Sequence, residues 1–292
     1  MAYSADIQKL KHSFLPEHFS LTDWATLEPY FIQLQDREIN SSEDLELWLK
    51  DMSEMEAFIS EDACWRQVRM TCDTENKTLE EAFNFFFMEI QPKIQPYADI
   101  LNKKLVDCPF TKGLDQEKYF TYLRSVRKSI DLFREANIPL QAEAAVLQQQ
   151  YGSIAGKMMI EQDGQEYTLQ QAGKFLESED RSIRETVYKK IADRRLVDKE
   201  SLNELFSKLI ALRHQVALNA GFSNYRDYKF AEMGRFDYTP ASCFQFHEAV
   251  KKEVLPLVNQ IYQEQQQRLG LDNMRPWDTE AEPAGIEPLR PF

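Results

Sequence analysis

Glycine is the scarcest structural signal in this chain, with only nine in 292 residues. Apolar residues recur three and four positions apart over long stretches, so the pattern predicts helix almost throughout. A short helix is expected from Asp23 to Arg37, after an irregular start around Pro16. Ser41 or Ser42 caps a longer one in which Leu45, Trp48, Leu49, Met52, Met55 and Ile59 share a face, and Trp65, Val68 and Cys72 form a second stripe that prolongs it. Thr78-Leu79-Glu80-Glu81 reads as a capping box for a helix carrying Phe83, Phe86, Phe87 and Ile90, which Pro92 interrupts or kinks before Ile94, Tyr97, Leu101 and Leu105 continue it. The cleanest stripe is Tyr119, Phe120, Leu123, Val126, Ile130 and Phe133. Pro139 then suits the first turn of a helix bearing Leu140, Ala144, Leu147 and Tyr151.

One stretch breaks the helical period. Lys157 to Gln162 and Gln165 to Leu169 flank Asp163-Gly164, a pair favoured in type I′ hairpin turns because both central residues take positive φ. A β-hairpin is expected there, with Thr168-Leu169-Gln170-Gln171 as a second capping box. Helices follow from Asp180 to Arg195, Lys199 to Ala220, Asn224 to Glu232 and Ala241 to Arg268, punctuated by Gly221, Thr239-Pro240 and Gly270 at their ends. From Leu271 the chain turns proline-rich and loses its period. The expected fold is all-α with one short β-hairpin. Its expected regions are residues 1–152, 153–270 and an irregular segment 271–292.

Hydrophobic residues at 43 % and charged residues at 28 % are ordinary globular usage. Thirty-five Lys and Arg against 48 Asp and Glu give a formal charge of -13, which repels phosphate backbones and anionic lipid, so neither nucleic acid nor membrane is an expected partner. No apolar run is longer than Phe85 to Met88, which is too short to span a bilayer, and Met1 to Gln8 lacks the apolar core of a signal peptide. A cytoplasmic location is expected. Cys64, Cys72, Cys108 and Cys243 show no C-x-x-C spacing and read as reduced, mostly buried thiols.

Few residues offer chemistry. His247-Glu248-Ala249-Val250-Lys251 begins like the zinc motif H-E-x-x-H, which needs two imidazoles one helical turn apart, but Lys251 puts a cation where the second ligand belongs. His247 is therefore read as a partly buried helix residue beside Phe244 and Val250. His12 and His18 are read as loop or surface residues and His214 as the flank of an apolar helix stripe. Phosphate-binding glycine loops and G-x-S-x-G elbows are absent from the sequence. Acidic pairs such as Glu80-Glu81 and Glu179-Asp180 sit in cap-like, solvated positions. The densest polar and aromatic cluster is Gly221 to Phe230, followed by Met233 to Pro240. Its aromatics and Arg side chains suit a peptide cleft. They equally suit two helix junctions held by Arg–Asp pairs and buried rings.

That cluster carries a resemblance. Gly221-Phe222-x-Asn224-Tyr225-Arg226-Asp227-Tyr228, then Arg235-Phe236-Asp237-Tyr238-Thr239-Pro240, then Arg275-Pro276-Trp277-Asp278 occur in an order that resembles oligoendopeptidase F-type enzymes. The hairpin, the Arg181-Ser182-Ile183-Arg184 helix and Trp48 extend the likeness over most of the chain. The resemblance implies the N-terminal lobe of a two-lobed, mainly helical zinc metallopeptidase that cuts short unfolded peptides within a deep cleft. It implies zinc for the complete enzyme, polarising water and the peptide carbonyl, with the zinc motif in a C-terminal catalytic half after the Arg-Pro-Trp-Asp block. The 292 residues contain no H-E-x-x-H, so the chain is expected to bind no zinc, to hold no catalytic residue and to be inactive alone, as a truncated enzyme would be. Tyr225, Arg226, Arg235 and Tyr238 are the expected substrate-binding residues. The alternative is a non-catalytic helical interaction scaffold.

Overall fold

The computed structural model describes residues 12–281. The chain divides into two compact units, Met1–Leu147 with Ala211–Gly234, and Gln148–Ile210 with Arg235–Phe292. Helix dominates both.

In the first unit, α1 (Trp24–Asp36) starts where Asp23 Oδ1 accepts the Thr26 N–H at 3.0 Å. The next helix, α2 (Ser42–Cys72), starts where Ser41 Oγ accepts the Asp44 N–H at 3.0 Å. Leu27, Phe31 and Leu34 of α1 form one core with Leu45, Trp48, Leu49, Met52 and Met55 of α2. The end of α1 is closed from outside the helix. Its Leu34 carbonyl accepts the Trp48 indole N–H at 2.8 Å, and Lys104 Nζ donates to the Leu34, Gln35 and Arg37 carbonyls at 3.0, 2.7 and 2.5 Å. Those carbonyls have no partner inside a helix, and a cation at that end also suits the helix dipole. The core stops short of the far half of α2, where Trp65, Val68, Cys64 and Cys72 are exposed and Met70 is buried. The second stripe expected there is therefore solvent-facing. Cys108 and Cys243 are only half-buried, so the expectation of mostly buried thiols is corrected.

Helix α3 (Lys77–Phe85) is capped by Asn76, not Thr78. Asn76 Oδ1 accepts from the Thr78 and Leu79 N–H groups at 3.2 and 3.4 Å, and Asn caps at least as well as Thr. A π-turn, Phe86–Ile90, leads into α4 (Gln91–Asp107) with Pro92 in its first turn. Pro92 neither interrupts nor ends the path, because a π-turn widens the backbone just where proline lacks a donor and crowds the preceding turn. Helix α5 (Gln116–Leu132) buries Leu123 and Val126 but leaves Phe120 exposed, and Phe133 caps it rather than extending it. Next comes α6 (Ile138–Gly156), with Pro139 in its first turn. A smaller core joins Leu132 to Val216, Ala217, Ala220 and Tyr228.

The second unit holds the hairpin, β1 (Met159–Gln162) antiparallel to β2 (Gln165–Thr168), with Ile160 opposite Tyr167. Asp163 and Gly164 take φ of 54° and 76°, as the type I′ turn requires. Thr168 ends the hairpin and opens α7 (Leu169–Ala172) with both capping-box hydrogen bonds, at 3.2 and 3.0 Å. Val187 and Ile191 of α8 (Arg181–Val197) pack on Ile160 and Ala172. Helix α9 (Lys199–Asn219) follows and from Ala211 belongs to the first unit, as does the helix after it; Gly221 ends α9 at φ 87°, letting the Phe222 N–H reach the Ala217 carbonyl at 2.9 Å. After α10 (Tyr225–Glu232) the expected helix from Ala241 to Arg268 is two: α11 (Pro240–Ala249) and α12 (Leu255–Arg268), joined by a π-turn, Val250–Val254, just before Pro256. The device repeats the one before Pro92. Among the described residues no helix is long and apolar enough to cross a membrane.

Candidate functional site

The four expected substrate-binding residues fall in different units. Tyr225 and Arg226 open α10 in the first. Asn224 caps that helix, its Oδ1 accepting the Asp227 N–H at 3.0 Å. Tyr225 is half-buried, its ring 6.0 Å from the Tyr228 ring, with the Arg213 guanidinium 5.9 Å from its centroid. Arg226 is exposed and its Nε donates to Asp227 Oδ1 at 2.8 Å. That hydrogen bond holds the Asp227 carboxyl below its usual range and raises the guanidinium. Tyr228, expected only as part of the motif, is the buried ring of the group: its hydroxyl lies 3.4 Å from Gln141 and 3.3 Å from Glu232, and burial raises the phenol.

In the second unit, Arg235 is half-buried and its guanidinium stands 5.8 Å from the ring centroid of the exposed Tyr238. The pair resembles the cation–π contacts that present a flat apolar wall beside a donor fork. Thr239 then closes a capping box with Ser242 at the start of α11.

The histidine donors do not assemble a zinc set. His247 is exposed, not partly buried, because α11 buries none of its residues, and its ring lies 6.3 Å from those of both Phe244 and Phe246. Lys251 Nζ lies 3.9 Å from Glu248 Oε2, so the position that a second ligand would take carries an ion-paired ammonium. His12, His18 and His214 are exposed. Among the described residues no group of three or more His, Cys, Asp or Glu could hold a metal ion.

The most tightly built polar group was not foreseen. Asp278 is fully buried, and its carboxylate receives Arg181 at 3.1 and 2.8 Å, Arg184 at 2.9 Å and the Arg275 N–H at 2.9 Å. Burial raises this carboxyl, but the hydrogen bonds from Arg181, Arg184 and Arg275 outweigh it and hold the group below its usual range. Arg184 also donates to the Ser178 and Glu179 carbonyls at 2.7 and 3.1 Å. Two sequence blocks, Arg181 to Arg184 and Arg275 to Asp278, are thus one cluster. The signal was available, since two arginines three apart on a helix share a face.

A second perturbed pair lies in the first unit. Glu56 of α2 reaches solvent, yet enough protein surrounds it to raise its carboxyl. Tyr122 of α5 is raised by burial and by the Glu56 charge.

The Peptidase M3 N-terminal domain matches residues 14–133, and Peptidase family M3 matches residues 174–289. The two descriptions belong to one family, follow one another along the chain and together span most of it. The chain belongs to peptidase family M3. All four candidate residues and the Arg181–Arg184–Asp278 cluster lie within the second M3 region, and the hairpin lies between the two. No curated protein sequence matches the chain. Solved structures do. An X-ray structure assigned as an oligoendopeptidase F is 23 % identical, with a TM-score of 0.85 over 90 % of this chain and 47 % of its own. PZ peptidase A with an inhibitor is 22 % identical, with a TM-score of 0.82 over 87 % of this chain and 45 % of its own. An assigned oligoendopeptidase F from Bacillus anthracis str. Ames is 20 % identical, with a TM-score of 0.83 over 89 % of this chain and 48 % of its own. At these identities the likeness is one of fold. This M3 chain spans about half the length of the structures it matches.

Proposed function

We propose that the chain is the N-terminal half of a zinc-dependent M3 oligoendopeptidase that hydrolyses short unfolded peptides, and that it supplies cleft wall rather than reacting groups. The observation that carries this reading is the ordered pair of M3 regions on a fold shared with oligoendopeptidase structures twice as long. Tyr225, Arg226, Arg235 and Tyr238 are assigned to peptide binding: the rings offer flat apolar contact and the guanidiniums offer donors to carbonyls or a terminal carboxylate. The zinc is assigned to the remaining half of the enzyme, because the 292 residues carry no H-E-x-x-H and an ion-paired Lys251 stands where the second imidazole of its one near-match would be. The segment 271–292 is read as the path into that half. A cytoplasmic location fits the composition and the free cysteines.

The test is peptide hydrolysis. The chain continued through its downstream reading frame should cleave a quenched fluorescent oligopeptide in a chelator-sensitive manner, and Arg226→Ala or Tyr238→Ala in that protein should raise KM. Chelator-sensitive cleavage by the highly purified 292-residue chain would overturn the division of labour. Failure of the continued chain on a broad peptide library would overturn the peptidase reading itself.

A further inference from the structure

Helix α12 has an apolar face that nothing in its own unit covers. At about 100° per residue, Val254, Leu255, Leu257, Val258, Ile261 and Tyr262 fall within an arc of about 160°, while Asn259, Gln260, Gln263, Glu264 and Gln267 take the opposite side. A stripe that wide ordinarily faces a core. Here no residue from Pro240 to Arg268 is buried, and Leu257 and Ile261 are 59 % and 57 % exposed. Val254, Leu255 and Tyr262 are exposed beside them. A helix of this length gains little from propensity alone and draws its stability from packing an apolar face.

The far end of the stripe shows where its cover comes from. Gln265 lies in the middle of the same arc, and its Nε2 donates to the carbonyls of Asp278, Thr279 and Ala281 at 3.4, 3.1 and 2.9 Å. Gln266 donates to the Leu271 and Asp272 carbonyls, both at 3.0 Å. The chain therefore doubles back onto α12 and its last described residue, Ala281, is fixed at the C-terminal end of the apolar stripe. Related structures continue for about as much chain again.

We propose that Leu257 and Ile261 of α12, with Leu255, Val258 and Tyr262 of the same helix and Val254 of the preceding π-turn at their side, form the docking surface for the C-terminal half of the M3 enzyme. This inference rests on the M3 peptidase reading for its partner, but its readout is protection of a helix and not activity. The partner is an apolar surface of the polypeptide that follows, seated on a helix that this half supplies ready-formed. Gln265 aims the connecting chain at it.

The experiment measures amide hydrogen exchange in peptides covering 250–268, in the 292-residue chain and in the chain continued through its downstream reading frame. Exchange in the 292-residue chain should be fast, with binding of a hydrophobic dye and open-ended self-association. In the continued chain it should slow by at least about tenfold and dye binding should fall. Leu257→Asp with Ile261→Asp should undo that protection in the continued chain and leave the melting temperature of the 292-residue chain unchanged. A discrete dimer of the 292-residue chain that protects the same helix would overturn the proposal in favour of a second copy. A reading frame that ends at Phe292, or a continued chain in which the helix still exchanges fast, would also overturn it. Protection without peptide cleavage would leave the docking surface standing and remove the peptidase reading. Cleavage with an unprotected helix would do the reverse.

Discussion

Arg184 and Asp278 lie 94 residues apart in the chain and meet at 2.9 Å, with side chains 3 % and 0 % exposed. Burying either charge alone is costly, so each depends on the other, and the pair acts as a latch between α8 and the segment that follows α12. Arg181 adds a second, half-exposed cation at 2.8 Å, and the Arg275 N–H closes the segment on itself.

Removing the carboxylate should therefore cost more than removing a surface ion pair. Asp278→Asn leaves Arg184 buried without its counter-charge, and a loss of about 3–5 kcal/mol is expected, against about 0–1 for Lys189→Ala on the exposed face of the same helix. Urea denaturation measures both. Limited proteolysis should also show new cleavage between residues 271 and 281 in the variant. Equal stabilities for the two variants would refute the latch.

The latch should also fail in acid. The Asp278 carboxyl sits below its usual range in the folded chain, so its stabilisation is fully present above the range of a free carboxylate and is lost as pH falls through the lowered folded value. The stability difference between the wild-type chain and Asp278→Asn should be constant near neutrality and shrink only in strong acid. A difference that grew with acidity would have the wrong sign.

Local chemistry made the helix ends and the hairpin legible in the sequence. Asp163-Gly164 demanded its turn, Thr168 its capping box, and Gly221 and Gly270 their positive φ. Three kinds of feature were not legible. The Asn76 cap was not legible because Thr78 carries the capping-box spacing, and only the geometry shows that the helix has begun by Lys77. The π-turns before Pro92 and Pro256 cannot be distinguished from kinks by periodicity. Burial was misjudged for Trp65, Val68 and His247 because an apolar stripe says that a helix face needs a partner, not that this chain contains it. In the candidate site, Arg226–Asp227 and the buried Tyr228 match the reading of a braced helix junction as well as that of a cleft. The Asp278 cluster was visible only as two separate blocks, since sequence order does not bring residues 181 and 278 together.

Glu56 and Tyr122 give a prediction that titration can test. Burial and then the Glu56 charge raise the Tyr122 phenol, so Glu56→Gln should lower its ionisation midpoint while leaving it above that of a free tyrosine. Ultraviolet difference titration reads this directly. The carboxyl is itself raised, which means that ionising it in the folded chain is penalised above its folded pKa and not below its unfolded one. Glu56→Gln should thus raise the melting temperature at neutral pH and have no effect once Glu56 is protonated. An unshifted Tyr122 would show that the two side chains do not interact.

The closed end of α1 supports a coupling prediction. Trp48 and Lys104 both donate to the Leu34 carbonyl, at 2.8 and 3.0 Å, so losing one donor leaves that oxygen with the other. Trp48→Phe keeps most of the ring in the core and removes one hydrogen bond, with an expected cost of about 1–2 kcal/mol. Lys104→Met keeps the aliphatic stem, but it also frees the Gln35 and Arg37 carbonyls, which lie nearer solvent, and should cost about as much. In the double variant the Leu34 carbonyl has neither donor, and the desolvation penalty of an orphaned buried acceptor appears for the first time. The double loss should exceed the sum of the single losses by about 1 kcal/mol. Strict additivity in a double-mutant cycle would mean that water reaches the Leu34 carbonyl, and that Trp48 stabilises this unit through its packing alone.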